Sequence, residues 1–462
     1  MPEKGRTEMK DFLKNLLNKV YADYADIRYE KKGDTSIVFE GKELAEAGAN
    51  ATDGYVVRVL KNGGFATGVF TRSEDAEKVI AAVCENAVLI GQNVARPVKL
   101  AAVDVVKETF KPLLKEDPRE ISFSEKLEIA RQASMIPLAN PAIATTRIAY
   151  NEIIREKCLV TSEGAEICEE LVTVSLGGRI TAKDGSLVQE VAVSSGGSDG
   201  FHSVRNQEQN FADRTKIAVD LLKARPVEGG VYNCILNPSL ASVFTHEAFG
   251  HSSEADCIES RPSLRDKMQI GAELGSQQLS ITDDATIQGL VGFYRFDDEG
   301  VRVRRTELLK NGVLVGRLHS RRTAIEFGEP LTGHAIAEDY RYPPIIRMGT
   351  IFIEPGNQSL EEMFAALGDG LYLCEAKGGQ TASDNFTFGA QYGYLVKNGK
   401  PTQMIRDINI SGNLFETMRN IVAVGKDLEF SKRGGCGKGQ MNPRSCKGAP
   451  HILAQKLVIG GR

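Results

Sequence analysis

The sequence lacks several features that would settle its class at once. No stretch approaches 18 uncharged apolar residues, so no transmembrane helix is expected. No apolar segment with a small-residue cleavage site precedes the helical pattern Phe12, Leu13, Leu16, Leu17, Val20, so no secretory signal is expected either. The eight cysteines, at 84, 158, 168, 234, 257, 374, 436 and 446, contain no C-x-x-C pair. In a long chain without a secretion signal they are expected to be reduced thiols, and the expected compartment is the cytoplasm. Neither sign of charge dominates: 57 Lys and Arg stand against 61 Asp and Glu, which gives no general reason to expect nucleic acid. The stretch from Ser431 to Arg462 departs from this balance, with seven Lys or Arg and no acid. It reads as a solvated basic end or as a patch that attracts carboxylates. A P-loop and an acidic two-metal cluster are also absent, which removes the enzyme classes they mark.

With 462 residues, 42% apolar and 26% charged, the chain is a globular protein too long for one ordinary core. The expected fold class is α+β. An N-terminal domain of helices and hairpins, residues 1–224, precedes a mostly antiparallel β domain, residues 225–462, that carries the metal-site helix. About 1–110 and 111–224 are candidate subdomains, and Arg225-Pro226-Val227-Glu228-Gly229-Gly230 marks the main boundary. In the first part, Val56–Lys61 and Phe65–Phe70 flank Asn62-Gly63, whose positive φ angles suit a tight hairpin turn. A helix is expected from Ser73 as N-cap through Val83, others over Phe123–Met135 and Phe211–Lys223, and strands around Ile148–Ile154 and Glu170–Ile180. Ser194–Gly200 reads as a flexible loop by composition. Lys310-Asn311-Gly312 and Lys397-Asn398-Gly399 repeat the hairpin device in the second part, where one or two helices are expected among the strands. Gly389–Tyr394 reads as a Gly-rich strand, either ordinary sheet interior or a surface that accepts an extended peptide.

The chemistry concentrates after the strand Tyr232–Leu236. Asn237-Pro238 reads as an N-cap followed by proline at the first helical position, and the helix runs into His246-Glu247-Ala248-Phe249-Gly250-His251. Two histidines with a glutamate beside the first suggest a zinc pair and a general base. Their spacing is five, however, and five residues of regular helix turn the two imidazoles about 140° apart. Sharing one ion therefore requires a π-type i→i+5 bond between Ala248 and His251, or an end to the helix there, with Gly250 easing the departure. Candidates for a third ligand are Cys436, Cys446, Cys257, His319, His334 and Glu254. The residues alone do not rank Cys436 above Cys446, although Lys438 and the basic tail would favour a thiolate at Cys436.

His246–His251 resembles the HExxxH segment of the TldD/PmbA family of metallopeptidases, the modulators of DNA gyrase. The likeness continues through Asp283-Asp284, Phe296-Asp297-Asp298-Glu299-Gly300, Leu309–Gly312, Tyr394–Gly399 and Gly435-Cys436-Gly437-Lys438-Gly439-Gln440. The resemblance implies zinc held by His246, His251 and Cys436, with Glu247 as general base in the hydrolysis of unfolded or short polypeptides. It also implies a TldD-type catalytic subunit, because PmbA-like subunits generally lack the HExxxH segment, and a dimer either with a PmbA/TldE-like partner or with itself. The competing expectation is a non-catalytic, zinc-stabilised subunit of a larger protein assembly.

Overall fold

A computed structural model describes residues 3–382 and 384–460. Its first half is one strongly extended, mostly antiparallel sheet with two groups of helices. Helix α1 (Glu3–Leu17) buries Leu13 and Leu16 and leads into β1 (Tyr24–Glu40), β2 (Glu43–Lys61) and β3 (Gly64–Phe70). The β2–β3 turn has φ of 52° at Asn62 and 79° at Gly63, the left-handed pair that a two-residue hairpin needs. The hairpin read from the sequence is only the end of β2. Residues 43–53 of that strand are exposed on both faces, so they carry no apolar alternation from which a strand could be read.

A short 3₁₀ turn, Ser73–Asp75, precedes α2 (Ala76–Asn93), so Ser73 does not cap the helix as expected. Then follow β4 (Lys107–Phe110), α3 (Phe123–Leu138), β5 (Ile143–Thr161), β6 (Glu166–Asp184), β7 (Leu187–Gly197) and α4 (Glu208–Leu221). The sheet order is β3-β2-β1-β5-β6, with β4 and β7 beside opposite ends of β6. Near one end, Ile27, Val57 and Val160 form a core with α1 and α2; near the other, Ile37, Tyr150 and Val174 form a second core with α3 and α4. The long central strands thus serve both.

Two expectations fail here. Ser194–Gly197 is not loop: it pairs with Val174–Gly177, where a side chain on Gly177 would meet the Val193 carbonyl at 2.3 Å. The small residues that suggested flexibility instead permit close backbone approach. Nor are all cysteines reduced. Cys158 and Cys168 stand directly opposite across β5 and β6, both buried, and are joined by a disulfide, while the other six are free thiols. A spacing of ten carries no hint of that register.

The second half begins with β8 (Arg225–Pro226) and β9 (Gly230–Leu236). Five strands close on themselves here: β9 pairs with Gly370–Ala382, that strand with Asn385–Lys397, then Ile408–Asn413, then Ile452–Gly460, which returns to β9. A second sheet contains Ile281–Asp283, Thr306–Lys310, Thr350–Ile353 and Cys446–Ala449. Most pairs are antiparallel, although β9 with Gly370–Ala382 and Thr350–Ile353 with Cys446–Ala449 are parallel. Both later Asn-Gly turns form, with positive φ at Asn311, Gly312, Asn398 and Gly399. There are more helical segments than expected, among them Arg321–Phe327, Leu360–Leu367 and Leu414–Arg419. Their brevity leaves little periodicity to read.

The halves meet through buried charge. Asp298 lies 3.4 Å from Arg28, 3.3 Å from Arg155 and 3.1 Å from Lys157, all essentially buried. Burial opposes its charge, yet Arg155, Arg28 and Lys157 hold it well below the usual carboxylate range.

Candidate metal centre

Strand β9 ends at Leu236, and Asn237 turns the chain into α5 (Pro238–Phe244). The Asn237 side chain accepts the Leu240 N–H at 3.0 Å, and Pro238 occupies the first turn, where no N–H is required. Regular helix then gives way to π-helix over Thr245–Gly250, with the His251 N–H donating to the His246 carbonyl. The irregularity demanded by the spacing is therefore present, and it begins three residues earlier than expected. It brings the imidazole centroids of His246 and His251 to 5.2 Å. Gly250 does not supply unusual torsions, since its φ of −57° and ψ of −51° are ordinary. Its smallness serves packing: a side chain there would meet Met348 Sδ at 2.3 Å and Ile351 Cδ1 at 3.0 Å.

Cys436 arrives from 185 residues away, with its sulfur 3.4 Å from His251 Nε2. It lies on a two-residue strand paired with Met441–Asn442. The buried guanidinium of Arg347 donates to the carbonyls of Cys436 and Gln440, each at 2.7 Å, and so clasps both ends of the intervening loop. One donor atom from each of His246, His251 and Cys436 lies within 4.8 Å of the others. Glu247 Oε2 is 3.9 Å from His251 Nε2, and its side chain remains one-third exposed. The Glu247 carbonyl accepts the Thr381 hydroxyl at 3.1 Å, which ties the π-helix to the strand Gly370–Ala382.

The donors suit a soft or borderline divalent cation. His246 Nδ1 is buried with no hydrogen-bond partner among the described residues. Burial, reinforced by nearby Lys447, His251 and Arg347, holds this imidazole well below its usual pKa, in the neutral form a ligand needs. At His251 burial acts the same way, but hydrogen bonds to Cys436 and Glu254 prevail and push it up to about 10.

The other candidates are engaged elsewhere. Cys446 is fully buried with its sulfur against Ser431. His319 pairs with Glu329 and Thr323, and His334 with Asp283. Cys257 approaches Glu254 at 3.7 Å, and burial pushes its thiol up to about 11. Glu254 is not among the converging donors; it takes the Nδ1–H of His251 at 3.1 Å, behind the imidazole. The sequence contained a signal for this pair, since residues three apart on a helix are neighbours. Arg347 gave none.

Lys438 also differs from expectation. Its ammonium does not bond the Cys436 sulfur but is held by Glu254 at 3.1 Å, Asp256 at 2.9 Å and the Ile346 carbonyl at 2.8 Å. Glu254, Asp256 and Cys257 form a second cluster of possible metal donors, but Lys438 already supplies its positive charge. The basic C-terminal stretch forms neither a solvated end nor a single patch. Arg444 is buried, Lys432 and Arg433 are exposed, Ile452–Gly460 is a strand of the closed ring, and Arg462 lies outside the described residues. Gly389–Tyr394 is sheet interior, with partners on both sides, so it is not free to accept a peptide.

Comparison with known proteins assigns the family. Residues 229–461 match the C-terminal domain described for PmbA/TldA metallopeptidases, residues 25–89 match domain 1, and residues 116–225 match the central domain. The chain belongs to the TldD/PmbA metallopeptidase family. Among its TldD/PmbA relatives, a protein of Synechocystis named as a metalloprotease is 34% identical over 95% of each chain. A zinc metalloprotease TldD homolog of Saccharolobus solfataricus is 31% identical over 95% of this chain and 97% of its own. Two solved structures share the TldD/PmbA fold. A Thermotoga maritima protein described as a modulator of a DNA gyrase has a TM-score of 0.80 at 20% identity, covering 98% of this chain and all of its own. TldE from Thermococcus kodakarensis has a TM-score of 0.78 at 17% identity, covering 98% of this chain and 99% of its own. No helix among the described residues is long and apolar enough to cross a membrane.

Proposed function

We propose that the chain is a zinc-dependent peptidase acting on unfolded or short polypeptides. One observation carries the proposal: His246, His251 and Cys436 converge within 4.8 Å, with the Glu247 carboxylate beside them and open to solvent. These three residues would hold the ion, leaving a tetrahedral cation one position for water or substrate. Zinc supplies Lewis acidity there, polarising a carbonyl and making water more acidic.

Glu247 is the general base, taking a proton from the attacking water and returning it to the leaving amine. Arg347 holds the Cys436 loop so that its sulfur stays against His251. A cleft of about 470 Å³ between the β1–β5–β6 face and the Gly434-Gly435 turn reaches the residue before Cys436. Its mixed polar lining, including Thr35, Asn151, Thr173 and Ser175, is compatible with an extended chain of varied sequence. The same proposal includes assembly with a TldE-like chain or with a second copy, in the cytoplasm; TldE from Thermococcus kodakarensis shares this fold.

The test is incubation of the protein with a library of unfolded peptides, with and without chelator, followed by elemental analysis. One zinc per chain and chelator-sensitive cleavage are expected, and His246→Ala or Cys436→Ser should lose most of the metal. Full metal retention in both variants removes this ligand set. Zinc without cleavage favours a non-catalytic zinc-stabilised subunit.

A further inference from the structure

Two of the three donors come from opposite ends of the second half, and one partly buried ion pair joins their supports. Glu254 is fully buried, and its Oε2 accepts the His251 Nδ1–H at 3.1 Å and the Lys438 Nζ–H at 3.1 Å. The first bond determines which nitrogen of His251 carries the proton and leaves Nε2 facing the Cys436 sulfur. The second reaches the C-terminal loop two residues beyond Cys436. The same ammonium is fastened to Asp256 at 2.9 Å and to the Ile346 carbonyl at 2.8 Å, next to Arg347, whose guanidinium bonds the Cys436 and Gln440 carbonyls of that loop.

We propose that Glu254 and Lys438 are positioning residues that act as one unit, locking His251 and Cys436 into the relative geometry that binds the metal. The proposal deepens the metal-centre reading and rests on it. A buried carboxylate shared between an imidazole and an ammonium holds both only while both are present. Removing either partner should therefore disturb both donors, the one it touches and the one across the bridge. Bonds confined to packing would give a different pattern, with losses limited to stability.

Cobalt(II) serves as the probe, because its thiolate charge-transfer band reports the Cys436 bond and chelator competition gives its affinity. Glu254→Gln preserves shape while removing charge, and Lys438→Met preserves length while removing the ammonium. Each variant should bind cobalt about 10- to 100-fold more weakly, the usual effect of losing a partner behind a metal ligand. Glu254→Gln should also alter the thiolate band, although Glu254 makes no contact with Cys436. The double variant should be little weaker than either single one, as expected for residues acting as a unit. Lys438→Arg, which can still pair with Glu254, should recover much of the affinity. Cys257→Ser, a control at the same carboxylate, should leave affinity unchanged. Circular dichroism identifies any variant that does not fold, in which case Glu254→Asp and Lys438→Arg carry the test, each expected to bind several-fold more weakly than the unsubstituted protein. Affinity and band equal to those of the unsubstituted protein in folded Glu254 and Lys438 variants overturn the proposal, and so do strictly additive losses. Absence of a cobalt–thiolate band in the unsubstituted protein overturns the metal-centre reading itself, and this proposal with it.

Discussion

Two buried polar clusters in this protein differ in how their charge is balanced. Around Asp298, where the halves meet, one carboxylate is surrounded by Arg28, Arg155 and Lys157, and Glu30 and Glu169 pair with the latter two. Opposite charges from this chain neutralise one another. At His246, His251 and Cys436 three potential metal donors face one another with no lysine or arginine among them, and His246 Nδ1 has no partner among the described residues. A cluster complete in itself serves the fold, whereas one made of donors alone is suited to a cation from outside. The bridge of Glu254 and Lys438 lies between these cases, a balanced pair supporting an unbalanced site.

Removing a charge from each cluster should break the comparison if it is wrong. Asp298→Ala leaves three buried cations short of a partner, so the expected cost is about 3–5 kcal/mol of stability, read from denaturant unfolding. The depressed pKa of Asp298 sets the pH dependence. Its stabilisation is fully present above the ordinary carboxyl value of about 3.9 and is lost progressively as pH falls below it. The Asp298→Ala protein should therefore show a shallower loss of stability on acidification. An unfolding midpoint unchanged from the parent protein would mean that the cluster contributes nothing to the fold.

At the metal centre the contrast should sharpen. Glu247→Ala should keep its metal and lose peptide cleavage by about two orders of magnitude or more, the usual scale of general acid–base catalysis. Native cleavage by the zinc-loaded variant would place the base elsewhere. Cys436→Ser, assayed without metal, should change stability by only about 1 kcal/mol, because one hydrogen bond is lost and no buried charge is stranded.

Smaller effects concern the backbone between the donors. Gly250→Ala forces a side chain against Met348 and Ile351. A loss of about 1–3 kcal/mol is expected from overpacking, together with weaker metal binding if the π-helix shifts. Asn237→Ala removes the cap on Leu240 and should cost about 1 kcal/mol, with metal affinity unchanged; a large affinity loss would tie the start of α5 to the geometry of the site.

The sequence by itself determined what depends on near neighbours. The three Asn-Gly turns, the Asn237-Pro238 helix start and the need for a break in regular helix between Ala248 and His251 follow from local torsions and helical spacing; the turns and the cap form as expected, and the break takes the form of a π-helix that begins earlier, at Thr245. The outer half of β2 escaped because neither of its faces is buried. The Cys158–Cys168 bond escaped because it depends on the register between two long strands. Spacing alone left Cys436 and Cys446 equal and the family resemblance selected Cys436; folding places its sulfur 3.4 Å from His251 and the other against Ser431. Folding also turned Lys438 away from the thiol it was expected to activate and toward Glu254. A helix period or turn torsion is written into adjacent residues, but contact between positions 254 and 438 exists only once the closed ring and its neighbouring sheet bring the two ends of the second half together.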